Sequence, residues 1–178
     1  FDGANGTVAA TVAAYAYCFL SYDNKLVKEY NRTLSYSIGP GLPTASERGT
    51  VWTDKVVLDM VGSVTGMALY YDKADNPSIY VGATDGLWVV DWANARGYQV
   101  DLGLAHHEGN CVGMAVWRGN LYIPVGQGQL LRYQPGVIAD TNPPLEMSRY
   151  VKGRFVQLAG DTQFLYAMLC PVGLSVLD

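Results

Sequence analysis

"IYVGATDGLWVVDWANA", residues 79–95, decides how this chain must fold. Two short apolar strands, Ile79-Tyr80-Val81 and Leu87-Trp88-Val89-Val90, flank Thr84-Asp85-Gly86. Asp and Gly tolerate the positive φ that tight hairpin turns require, so the stretch reads as a hairpin. Neither strand alternates cleanly between apolar and polar positions. A hairpin with one solvated face would alternate, so this one is expected to be buried on both faces.

The pattern recurs along the chain. "YCFLSYDNKLVKEY" from Tyr17, "YIPVGQGQLLRYQ" from Tyr122 and "YAMLCPVGLSVLD" from Tyr166 align with the segment from Tyr80. Turn residues interrupt each one: Asp23-Asn24, Gly126 with Gly128, and Pro171 with Gly173. A second motif precedes the Tyr, as "GMALYY" (66–71) and "GMAVWR" (113–118), with a weaker copy in "VQLAG" (156–160). A further strand can follow each hairpin, in "TVWTDKVVLDM", "GYQVDLGL" and "LEMSRYVKG". Four strands in units of roughly 40 to 50 residues mark a β-propeller blade. The expected fold is therefore all-β: a propeller of four-stranded antiparallel blades, about four in this chain, over residues 8–60, 61–104, 105–152 and an incomplete 153–178.

With those residues in place, a resemblance follows. "IYVGATDGLWVVDWANA", echoed by "GLSVLD" at 173–178, resembles the repeats of the LVIVD and YVTN propeller families, in which a Tyr-Val strand precedes a Gly-Leu-hydrophobic-hydrophobic-Asp strand. The resemblance implies propeller architecture and a binding or surface role. Because the last unit stops after its hairpin, the chain is expected to be part of a longer propeller, with a closed four-bladed ring as the alternative.

Composition narrows the function classes. Charged residues make up 16% of 178, below the usual quarter, while 13 Tyr, 4 Trp and 20 Gly favour strands and tight turns. A net charge of −4 with scattered Lys and Arg argues against nucleic acid, which needs clustered cations. The most apolar stretch, residues 7–20, is shorter than the roughly 20 residues of a membrane helix and reads as core. Cys18, Cys111 and Cys170 lack metal or redox spacing and are expected as small buried side chains.

No catalytic fingerprint is present. The loops expected to share one propeller face carry the ligand candidates Asp23, Asp85, His106, His107 and Gln127, together with the connection "VGS" at 61–63. His106 and His107 are adjacent, so an extended backbone turns them apart and a shared metal is hard to build. Asp23 and Asp85 read first as turn formers. Trp88, Trp92 and Trp117 read as packing between blades. The long segments 35–50 and 134–144 read as loops on the opposite face.

Asn5-Gly6-Thr7 and Asn31-Arg32-Thr33 are glycosylation sequons, which makes Asn5 and Asn31 candidates and favours an extracellular or particle-surface setting. The expectation is a non-enzymatic scaffold for protein or glycan contacts, without cofactor or metal. Two alternatives stand beside it: a hydrolase-like propeller enzyme with its site near His106 and His107, and a structural subunit of a filament or coat.

Overall fold

The computed structural model describes residues 18–38, 52–102, 111, 113–125, 128–134, 153–171 and 173–177. Among these, every regular element is a β-strand, and the fourteen strands form four antiparallel sheets in chain order. Sheet 1 contains β1 (Cys18–Tyr22), β2 (Lys25–Tyr30), β3 (Thr33–Ile38) and β4 (Thr53–Val57). Sheet 2 contains β5 (Val64–Tyr71), β6 (Pro77–Ala83), β7 (Gly86–Asp91) and β8 (Arg96–Val100). Sheet 3 contains β9 (Ala115–Trp117), β10 (Asn120–Val125) and β11 (Gln129–Tyr133), and sheet 4 contains β12 (Arg154–Gly160), β13 (Leu165–Cys170) and β14 (Gly173–Leu177). Each sheet is a plain meander.

Local chemistry sets the hairpins. The β1–β2 turn places Asp23 and Asn24 at φ 48° and 56°, and the β2–β3 turn places Asn31 and Arg32 at 51° and 66°. Two consecutive left-handed residues make the mirror-image turn whose twist matches that of the strands. Asp and Asn adopt this conformation readily; an arginine does so at some cost.

The sheets pack face on face, and in sheets 2 and 3 the alternation of side chains along a strand feeds two cores at once. From β6, Ile79, Val81 and Ala83 join Val27, Leu34, Val56, Leu58 and Met60 of sheet 1 and its exit. From the same strand Tyr80 points the other way, joining Leu87 with Leu121, Ile123 and Leu131 of sheet 3. A third core holds Trp117, Tyr122 and Leu130 of sheet 3 against Phe155, Leu158, Leu165, Ala167 and Leu169 of sheet 4. The first strands β1, β5, β9 and β12 adjoin in succession. Close approach at the seams needs glycine: a Cβ on Gly82 would collide with the Cys111 carbonyl oxygen.

Three expectations are corrected. The segment from Tyr17 does not take the place of the other three hairpins. Those from Tyr80, Tyr122 and Tyr166 form β6–β7, β10–β11 and β13–β14, each preceded by another strand of its sheet, whereas Cys18–Tyr30 forms β1–β2. The partner of the Thr84-Asp85 turn is thus Asn31-Arg32. Two turns of similar chemistry lie eight residues apart, each preceded by a Tyr, Tyr22 and Tyr30, and local pattern does not distinguish them. Residues 35–38, read as loop, complete β3, paired with Lys25–Lys28. Cys170 is exposed, because the register of β13 turns it away from sheet 3 with Met168; Cys111 is buried and Cys18 half-buried.

Candidate functional site

The polypeptide leaves β4 and crosses to β5 over the edge of the seam between sheets 1 and 2. Leu58 and Met60 drop into the core at 2% exposure, while Val61 is thrown outward at 96%. The crossing is clamped from both sides. On the sheet 2 side, Asp85 Oδ2 accepts the N–H groups of Val61 (3.0 Å) and Gly62 (3.1 Å), and Thr84 Oγ1 accepts that of Ser63 (3.0 Å). The Trp88 indole N–H reaches Asp85 Oδ1 at 3.4 Å. On the sheet 1 side, the Arg32 guanidinium donates to the Met60 carbonyl at 2.8 Å, and the Leu58 N–H donates to the Arg32 carbonyl at 2.9 Å. Gly62 is required here, since a Cβ would lie 2.5 Å from Thr84 Oγ1 and 2.9 Å from the Asp85 nitrogen.

Between the β2–β3 turn and this crossing lies a cleft of about 440 Å³, lined by Glu29, Asn31, Arg32 and residues 61–64. Glu29 lies at its floor. The side chain is fully buried, on the core-facing side of β2 with Val27, across from Cys18 on β1 and Leu34 on β3. Its Oε1 accepts the Arg32 N–H at 2.7 Å. Its Oε2 has no partner, the only such buried side-chain oxygen or nitrogen among the described residues. Burial pushes the carboxyl above the ordinary glutamate value, and the Arg32 N–H opposes part of that shift. Burial first, then the charge of Glu29, raises the facing Cys18 thiol to about 12, so it remains a thiol at neutral pH and is no nucleophile.

Of the sequence candidates, Asp85 belongs to this region, but its carboxylate is engaged in fastening the crossing. Asn31 stands exposed at the rim, in the left-handed conformation. Asp23 is not part of the same face. It sits in the β1–β2 turn, at the far end of the six-residue β2 from Asn31, roughly 20 Å away. There it pairs with Lys25. The reason is the shifted hairpin of sheet 1: turns at the two ends of one strand cannot share a face. His106, His107, Gln127 and Asn5 lie outside the described residues, as do 39–50 and 135–144 of the two long loops.

The tryptophans serve packing. Trp88 and Trp117 are each 8% exposed in the cores, and Trp92 packs tilted and edge-on, with ring centroids 5.4 and 5.9 Å away, against Tyr22 and Tyr36 across the first seam. Among the described residues no group of three or more His, Cys, Asp or Glu could hold a metal, and no helix is long and apolar enough to cross a membrane.

Sequence reasoning missed Glu29 and Arg32. A signal for Glu29 existed: in "KLVKEY" it shares the alternate-residue face of Val27, so a strand with Val27 inward also turns Glu29 inward. Nothing local marked Arg32, whose role depends on a carbonyl 28 residues away.

No protein family matches the chain, and no curated protein matches it. Solved structures do. PorZ, an essential surface component of the type-IX secretion system of Porphyromonas gingivalis, superposes with a TM-score of 0.59 at 16% identity over 91% of this chain and 19% of PorZ. The extracellular domain of BT4673 from B. thetaiotaomicron gives 0.59 at 13% identity, covering 91% of this chain and 23% of that one. The computationally designed protein Ika8 gives 0.54 at 13%, covering 90% and 44%. The chain thus spans about a fifth of PorZ and less than a quarter of the BT4673 domain, and what it shares with them is the fold.

Proposed function

We propose that the four sheets are successive blades of a β-propeller with repeats resembling the LVIVD and YVTN type, and that the domain is a non-enzymatic scaffold. It would contact a protein or glycan through the cleft between sheets 1 and 2, in an extracellular or surface setting. The propeller reading is supported by the serial packing of meander sheets, with sheets 2 and 3 covered on both faces, and by the succession of first strands β1, β5, β9 and β12. The surface setting is supported by the Asn5 sequon and by the places that PorZ and BT4673 occupy in their own organisms.

The observation that carries the binding reading is the clamped cleft itself. Its wall is fixed by four hydrogen bonds from Asp85, Thr84 and Arg32, while its floor and rim keep unspent polar capacity at Glu29 and Asn31. Such a rigid, concave, polar surface favours recognition.

Two arms of one experiment test this. The chain is spread over a glycan microarray beside Arg32→Ala, and the same samples are incubated with chromogenic glycosides and esters beside His106→Ala and His107→Ala. Expected are retained glycans that Arg32→Ala releases, and no chromogenic turnover by any sample. Turnover that disappears with either histidine would contradict the scaffold reading in favour of an enzyme.

A further inference from the structure

A buried carboxyl with one idle oxygen is costly to keep. An unpaired buried polar atom keeps its desolvation penalty uncompensated, and the penalty is larger when the atom is charged. Glu29 pays that cost beneath an open cleft, with one oxygen saturated by the Arg32 N–H and the other unmatched. Among the described residues no cation lies within salt-bridge distance of it; the ion pair there is Lys25 with Asp23, at the other end of β2. Arg32 has its guanidinium directed to the Met60 carbonyl through one nitrogen, and a guanidinium has five N–H donors in all. Its backbone sits in the left-handed region, at φ 66°, a conformation that arginine adopts only when its surroundings impose it.

The cleft therefore has a buried acceptor, Glu29 Oε2, behind its floor, with guanidinium donors at one wall and the Asn31 amide, which both donates and accepts, at the rim. This mixture selects among ligand classes. An ammonium group would satisfy Glu29 Oε2 but would face the Arg32 guanidinium with the same charge and offer it no lone pair. A phosphate or carboxylate would pair with Arg32 but would meet Glu29 and, just beyond, Asp85 with like charge. A hydroxyl donates through its hydrogen and accepts through its lone pairs, so two neighbouring hydroxyls answer both groups without a net charge. Val61 and Val64 line the same cleft and leave room for the C–H face of such a molecule. The volume of about 440 Å³ lies in the lower part of the usual range for small-molecule sites, about 300–1,000 Å³.

We infer that the cleft between sheets 1 and 2 binds a neutral polyhydroxylated ligand, one sugar unit of an uncharged glycan, with one hydroxyl donating to Glu29 Oε2 and a neighbouring one accepting from Arg32. The inference rests on the scaffold reading and gives it a ligand class. Because no aromatic ring among the described residues lines the cleft, a single unit binds weakly, with useful affinity arising from several units or several copies.

The test is a residue-resolved NMR titration of the full chain with a panel of neutral methyl glycosides, with methylammonium and inorganic phosphate run in parallel. Concentrations reach about 10 mM, which fills most of a millimolar site. At least one glycoside is expected to give saturable shifts centred on the Glu29, Arg32, Gly62 and Ser63 amides, while the two ions leave them unmoved. Glu29→Gln replaces the idle acceptor with an amide donor and should weaken that glycoside by about tenfold. Asn31→Gly suits the left-handed turn and keeps the hairpin intact should the Glu29 variant misfold; it should weaken the glycoside by roughly two- to threefold.

Stronger cleft shifts with methylammonium or phosphate than with any glycoside would overturn the neutral class. The absence of cleft shifts with the whole panel, or unchanged glycoside affinity in a folded Glu29→Gln, would overturn the site. Glycoside shifts mapping elsewhere would do the same while leaving the scaffold reading in place. New product resonances from a bound glycoside, in contrast, would sink the non-enzymatic reading and keep the ligand class.

Discussion

β6 and β13 are both central strands, hydrogen-bonded to a neighbour on each side, yet they live in different environments. From Ile79 to Ala83 every residue of β6 is buried, because odd and even positions supply two different cores. Along β13, Leu165, Ala167 and Leu169 are buried while Met168 and Cys170 are exposed, and Leu174 and Val176 of β14 extend the open side at 70% and 52% exposure. The backbone arrangement is the same; the number of covered faces differs. Alternation of burial along a strand thus reports how many neighbours its sheet has; "LYAMLC" and "IYVGA" are alike apolar in sequence, and the difference between them lies in the packing.

The largest effect that would break this comparison comes from truncation. Leu87, fully buried between sheets 2 and 3, should lose about 2–5 kcal/mol of stability as Leu87→Ala in urea unfolding, whereas Leu174→Ala on the open face should stay within about 0.5 kcal/mol. Comparable losses at both sites would mean that the far face of sheet 4 is covered in solution. Next comes Gly82→Ala, whose added methyl meets the Cys111 carbonyl and, at 3.1 Å, Met114 Cε; it should cost about 1–3 kcal/mol through forced separation of sheets 2 and 3. A neutral result would show that this seam yields more than its packing implies.

A smaller change sharpens the other side of the comparison. Trp117→Phe keeps an aromatic ring between sheets 3 and 4 but removes the indole N–H bond to the Asp161 carbonyl, 2.8 Å long. The loss should be about 0.5–1.5 kcal/mol by the same urea measurement, and a loss as large as that of Leu87→Ala would place packing, not the hydrogen bond, at the centre of that seam.

The last effect depends on pH. Burial raises the Glu29 carboxyl in the folded chain, so between its ordinary value and that raised value the folded state holds the proton more firmly than the unfolded state does. The contribution of this group to stability is fully present below the ordinary value and is lost as pH climbs through the raised one. Glu29→Gln cannot titrate. Its melting temperature should therefore gain on that of the parent chain as pH rises above the ordinary glutamate value, about 4, and a constant difference would show that Glu29 feels no burial penalty.

What could be read from the sequence was local. Tight turns at Asp23-Asn24 and Thr84-Asp85, strands throughout and the doubly buried character of 79–90 follow from residue chemistry within a few positions. The phase of sheet 1 did not follow, since Tyr22-Asp23-Asn24 and Tyr30-Asn31-Arg32 offer equivalent turns and only the packing of β1 beside β5 selects between them. Asp85 was readable as a turn former, but not as the clamp on Val61 and Gly62, 24 and 23 residues earlier. Glu29 looked like one more charged residue in a polar strand. Its significance comes from an oxygen left unpaired, which depends on what every neighbouring element fails to supply.

The most direct measurement is residue-resolved hydrogen exchange under native conditions, comparing β6 with β13. Both strands have paired amides, so the difference between them isolates the packed faces. With β6 enclosed between sheets 1 and 3 and β13, among the described residues, packed on sheet 3 alone, the amides of Tyr80 and Val81 should open only with global unfolding, and those of Ala167 and Met168 should exchange through a cheaper local opening. Equal protection in the two strands would contradict this: sheet 4 would then be covered on both sides, and the contrast between enclosed and terminal sheets would not describe the protein in solution.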